Sequence, residues 1–81
     1  MESRVAVISI IVENIESVEK LNSILHDYGD YIIGRMGIPY KNRGINIISI
    51  ALDAPSDEIN ALTGALGRLS GITAKATYSK A

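Results

Sequence analysis

The chain has 81 residues, eight Lys and Arg against nine Asp and Glu for a formal net charge of -1, and no cysteine. A chain this short buries only about 60–65% of the surface its unfolded form exposes, so residues 1–81 read as a single domain with a thin core that gains from a partner subunit. The missing cysteines exclude disulfides, thiolate nucleophiles, zinc knuckles and iron–sulfur ligation, and the near-neutral charge gives no general pull toward nucleic acid or acidic membranes.

No apolar run approaches the roughly 20 residues needed to cross a bilayer, and no signal-type segment opens the chain, so a soluble cytoplasmic protein without membrane contact is expected. The charge is nevertheless uneven. Residues 1–31 carry six acids and two bases, whereas residues 32–51 carry three bases (Arg35, Lys41, Arg43) and no acid.

Val5-Ala6-Val7-Ile8-Ser9-Ile10-Ile11-Val12 is short, rich in β-branched residues and closed by Glu13-Asn14, which predicts a strand. Alternation puts Ala6, Ile8, Ile10 and Val12 on a wholly apolar face. Val5, Val7, Ser9 and Ile11 form a second face broken only by a hydroxyl, so both faces read as covered. From Ile15 the period turns helical: Ile15, Val18, Leu21, Leu25 and Tyr28 share one stripe, with Glu16, Glu19, Lys20, Ser23 and Asp27 off it. Gly29 suits the helix stop.

A second strand is predicted over residues 31–36 and a third over 45–52, joined by an eight-residue link, 37–44, with glycine at both ends. The third strand repeats the first. Val7-Ile8-Ser9-Ile10-Ile11-Val12 matches Ile47-Ile48-Ser49-Ile50-Ala51-Leu52 at an offset of 40, and an acid, Glu13 or Asp53, follows each. The helical stripe repeats as Ile59, Leu62, Leu66 and Leu69, behind a Pro55-Ser56 entry with Asp57 and Glu58 in the positive first turn; Gly71 ends this helix. A last strand over 73–79, with Lys75 in it, suits a sheet edge.

Two βαβ units in one small domain predict an α+β fold, the ferredoxin-like βαββαβ sandwich: a four-stranded antiparallel sheet with two helices on one face. Val5, Val7, Ile11, Ile45, Ile47 and Ala51 would then stand on the open face. Together they make a patch of several hundred Å², roughly at or beyond the limit for isolated monomers. With Ser9 and Ser49, which either hydrogen-bond across a junction or are merely tolerated small residues, this face is the expected interface of a homodimer or a larger assembly such as a tetramer.

Arg35, Lys41 and Arg43 flank a link whose tip, Ile38-Pro39-Tyr40, is unusually apolar. On one reading the bases attract a small anionic metabolite or an acidic protein partner, with Tyr40 as anchor and Asp53, after the third strand, completing the site. On the other, Ile38 and Pro39 dock on a neighbouring subunit. His26 is the only imidazole, and a metal site needs three or four ligands, so neither a metal nor a cofactor is expected. Gly64 and Gly67 leave a bare outer stripe on the second helix. No phosphate loop, serine–histidine pair or convergent carboxylates point to an enzyme.

Several runs resemble a known family: Val5 to Glu13, Ser17-Val18-Glu19-Lys20-Leu21-Asn22, Ile48-Ser49-Ile50-Ala51-Leu52-Asp53-Ala54-Pro55 and above all Tyr28-Gly29-Asp30-Tyr31-Ile32-Ile33-Gly34-Arg35-Met36-Gly37-Ile38-Pro39-Tyr40. They are similar to short bacterial proteins named as regulators of the iron-only hydrogenase system. That family in turn looks like a free-standing relative of ACT domains and of the ligand-binding domain of nickel-responsive repressors, both oligomeric. The resemblance implies an ACT-like domain with a regulatory role rather than a chemistry. Glu13-Asn14-Ile15-Glu16 stands where amino-acid-binding ACT domains carry an Asp-x-Pro-Gly type loop, and the histidines and cysteine of the nickel repressors are reduced to one histidine. No DNA-binding part is expected, hence no direct contact with nucleic acid. The resulting expectation is a homo-oligomeric module that senses a small ligand or binds a partner; the alternative is a purely structural assembly domain.

Overall fold

The computed structural model describes residues 2–80. In chain order it forms β1 (Ser3–Val12), a 3-10 turn (Ile15–Ser17), α1 (Val18–Asp27), a second 3-10 turn (Gly29–Tyr31), β2 (Ile32–Tyr40), β3 (Ile45–Pro55), α2 (Ser56–Gly67) and β4 (Ile72–Tyr78). The strands make one antiparallel sheet in the order β2-β3-β1-β4. The two most continuously apolar strands are therefore central, where both backbone edges are paired and most side chains on the helix face are buried. Ser9 stands opposite Ser49, so equivalent residues of the internal repeat meet at the middle of the sheet.

One face of the sheet carries the core. Ala6, Ile8, Ile10 and Val12 of β1 and Ile48, Ile50, Leu52 and Ala54 of β3 are buried against Leu21 and Leu25 of α1 and Ile59, Leu62 and Leu66 of α2. Both helices thus cover the same face, as their apolar stripes require. The helices are too short for the sheet. Ten residues of α1 span about 15 Å, whereas the eleven of β3 span about 36 Å. The hairpin end of β2 and β3 consequently projects beyond the helical layer, and the molecule is elongated, 41 × 20 × 17 Å.

Most element ends shift by a few residues from the sequence expectation, α2 among them, which stops at Gly67 with Leu69 beyond it; three differences bear on the site. β2 does not stop at Met36 but runs through Gly37, Ile38, Pro39 and Tyr40, paired to Ile48, Ile47, Asn46 and Ile45. Proline is tolerated because β2 is an edge strand, where alternate N–H groups have no ladder partner to lose. The eight-residue link is thereby reduced to residues 41–44, closed by Arg43 N–H donating to Tyr40 O at 3.3 Å and Gly44 N–H to Lys41 O at 3.2 Å, with Gly44 at φ 66°. Asp53 lies inside β3, not after it, opposite Val5. Ile15 leaves the helical stripe: the chain enters α1 through a 3-10 turn with three residues per turn, which rotates Ile15 outward to 74% exposure. A bulge at Ile33 further shifts the register of β2 between Ile32 and Gly34.

The loops before α1 and β4 are tied together. Asn14 caps the first 3-10 turn by accepting from Glu16 N–H at 3.0 Å, and Glu13 N–H donates to Gly71 O at 2.7 Å. The hydroxyl of Ser17, a buried polar residue, donates to Ser70 O at 2.7 Å. At the other end Tyr78 donates to Asn60 Oδ1 at 2.6 Å and lies under the Arg4 guanidinium, 4.5 Å from ring centroid to Cζ.

Candidate functional site

The strand register assigns each predicted residue to a face. Val5, Val7, Ser9 and Ile11 of β1 and Ile45, Ile47, Ser49, Ala51 and Asp53 of β3 share the face away from the helices. Extending β2 adds Met36, Ile38 and Tyr40 to it, opposite Ser49, Ile47 and Ile45. Val5, Val7, Met36, Ile38, Tyr40 and Ile47 are all exposed, the highest at 61% for Met36. The apolar tip and the open face, which the sequence presents as separate features, are one continuous surface.

That surface is ordered in rows across the sheet. Ile38, Ile47 and Ile11 form an aliphatic row ending at Thr73; the next is Met36, Ser49, Ser9 and Lys75; the next is Gly34, Ala51, Val7 and Thr77. β4 contributes polar residues at one edge, so the apolar area is centred on β2, β3 and β1. Asp53 lies at the end of this face remote from the hairpin turn. Eight strand positions separate it from Ile45, about 26 Å, so within one chain Asp53 does not meet Lys41 or Arg43.

Arg35 and Pro39 lie on the opposite, helix-side face, paired with Ile50 and Asn46. Nη2 of Arg35 donates to Asn22 Oδ1 of α1 at 2.8 Å. Arg35 and Tyr40 therefore stand on opposite faces of the sheet by register, and they border different hollows, Arg35 the larger and Tyr40 the smaller of two that adjoin at Pro39 and Asn46. Pro39 sits with Arg35 rather than on the open face beside Ile38. Lys41 and Arg43 are exposed on the four-residue turn.

Where β2 outruns the helices, an open cleft of about 250 Å³ is lined by Val18, Arg35, Gly37, Ile38, Pro39, Asn46 and Ile48. A neighbouring one of about 180 Å³, with Val12, Ile15 and Lys41 in its wall, shares Pro39 and Asn46 with it. Met36, Gly37 and Asn46 are the functional candidates that the sequence reading passes over. Their signal lay in the alternation itself: once the strand is carried through Pro39, Met36 falls in step with Ile38, and Asn46 in step with Ile48. His26 is exposed on α1, and among the described residues no three His, Cys, Asp or Glu side chains gather in metal-binding range.

Residues 4–76 match the model of a TM1266-like family described as "Iron-only hydrogenase system regulator, putative". None of the curated proteins matches the chain. Among solved structures, that of the uncharacterized protein TM1266 from Thermotoga maritima is similar with a TM-score of 0.93 and 31% sequence identity, over 98% of this chain and 100% of that one. The chain belongs to the TM1266-like family.

Proposed function

We propose that this protein is a regulatory module of the iron-only hydrogenase system that works as a homo-oligomer, without catalysis and without its own DNA-binding part. The β2-β3-β1-β4 order with both helices on one face is read as a ferredoxin-like, ACT-like sandwich. The observation that carries the proposal is the bare apolar face. Six large aliphatic, thioether and aromatic side chains stand exposed on three adjacent strands of a chain whose own core is thin. At about 25 cal/mol per Å² of apolar area removed from water, covering several hundred Å² contributes on the order of 10 kcal/mol before association costs. A second copy supplies a matching surface by symmetry.

Arg35, Lys41 and Arg43 remain the groups for an anionic ligand or acidic partner, since they charge the hairpin end with no acid among residues 32–51. Tyr40 and Ile38 favour assembly, because they continue the apolar face. A cytoplasmic location suits the reading; no helix among the described residues is long and apolar enough to cross a membrane. Native mass spectrometry of protein purified from its own cells tests the proposal, because subunit count and retained ligand are read together. A dimer or larger species carrying a small molecule or a protein partner is expected. An oligomer with nothing bound would favour the purely structural alternative, and a bare monomer would refute both.

A further inference from the structure

We infer that the cleft on the helix side of the hairpin binds a small, elongated monocarboxylate with an apolar body. This rests on the ligand-responsive reading above and gives it a place and a chemistry. Three features of the cleft are not explained by folding alone.

The first is Gly37. Its φ is not positive, and a Cβ built on it would meet no atom within 4 Å. Neither a turn nor close packing requires glycine there. It lies on the helix side of an edge strand, where most residues would project a side chain into the cleft, so its absence of one keeps the space open.

The second is Asn46. Every other β3 residue pointing the same way, from Ile48 through Ile50 and Leu52 to Ala54, is buried and apolar. Asn46 alone breaks this series, and its side-chain amide makes no hydrogen bond to any described residue. An amide at the mouth of an apolar cleft offers one acceptor and two donors to whatever enters.

The third is Arg35. One of its five N–H donors is used on Asn22, which braces the guanidinium and leaves the others for a planar, bidentate acceptor. No acid lines either part of the cleft, so an anion is favoured and an ammonium group finds no counter-charge. The other cation of the lining, Lys41, lies in the turn past the end of β2, six residues from Arg35 or about 20 Å of extended chain, so the Arg35 end balances one negative charge rather than the nearly two of a phosphate. Between these polar points the walls are Val18, Pro39 and Ile48. Volumes of about 180 and 250 Å³ fall below the roughly 300–1,000 Å³ of drug-sized sites, so the occupant is small. Its carboxylate meets Arg35, its chain lies on the apolar wall, and a carbonyl or hydroxyl along the chain reaches Asn46.

The test is a titration of the full chain with hexanoate, followed through backbone amide resonances, with sedimentation run on the same samples. Saturable shifts are expected at Val18, Gly37, Asn46 and Ile48. Hexanamide, leucine and the Arg35→Gln variant should each weaken binding at least tenfold, and Gly37→Val, which fills the cleft while keeping the Arg35 charge, should abolish it. Subunit count should be unchanged in both variants. Absence of saturable shifts, or binding indifferent to Arg35→Gln and Gly37→Val, would overturn the inference, and equal binding of leucine would overturn its chemistry. An intact oligomer in those cases leaves the regulatory assembly standing. A monomeric wild type that still binds hexanoate removes the assembly and keeps the cleft.

Discussion

Gly71 is packed so closely on Asn14 that a Cβ on it would lie 2.5 Å from the Asn14 Cβ and 2.8 Å from its backbone nitrogen. Its φ of 70° is also in the left-handed region. The hydrogen bond between Glu13 N–H and Gly71 O holds the loop before β4 against the entry to α1 at this same point. Gly71→Ala should therefore cost more than the roughly 1–2 kcal/mol of left-handed backbone, because Asn14 must move as well. In thermal unfolding at fixed protein concentration the midpoint should fall by about 8 °C or more. An unchanged midpoint would show that this junction relaxes freely.

Ser17 and Ser70 make the same junction testable by a milder change. The buried Ser17 hydroxyl donates to Ser70 O at 2.7 Å, so Ser17→Ala removes a donor and leaves a carbonyl short of a partner. A loss of about 1–2 kcal/mol is expected in urea unfolding, with no change in subunit count. A larger loss, with dissociation, would mean that the junction supports the assembly.

Arg35 and Tyr40 allow the two proposed roles of the hairpin to be tested apart. Tyr40 stands on the open face and also borders the smaller part of the cleft, whereas Arg35 lines the larger part; Tyr40→Ala should therefore weaken self-association and reduce carboxylate binding far less than the loss of the guanidinium does. Arg35→Ala should do the reverse. Gel filtration and the titration together read both, and a Tyr40→Ala protein with full association but no ligand binding would reverse the assignment.

Most of the architecture was legible because it rests on alternation. The offset between Val7 to Val12 and Ile47 to Leu52 announced two equivalent units, and the order with β1 and β3 central followed from their apolar content. What was not legible came from the hairpin. Gly37, Pro39 and Gly44 read locally as turn residues, yet pairing with β3 carries the chain in strand conformation as far as Tyr40, and only Gly44 uses its left-handed freedom. Mistaking strand for loop hid the faces. Read as loop, Ile38, Pro39 and Tyr40 form one tip, and nothing marks Met36 or Asn46 as facing either side. Ile15 was misplaced for a related reason, since a 3-10 turn and an α-helix differ in where they point the same residue.

Whether the open sheet face is an interface is measured most directly by sedimentation of the wild type beside Ile47→Lys at micromolar concentration. Ile47 stands between Ile11 and Ile38, so a lysine there would put an unpaired charge at the middle of the proposed interface while the core beneath is untouched. The wild type should sediment as a dimer or larger species and Ile47→Lys as a folded monomer. A monomeric wild type, or a variant with the wild-type subunit count, would contradict the assembly.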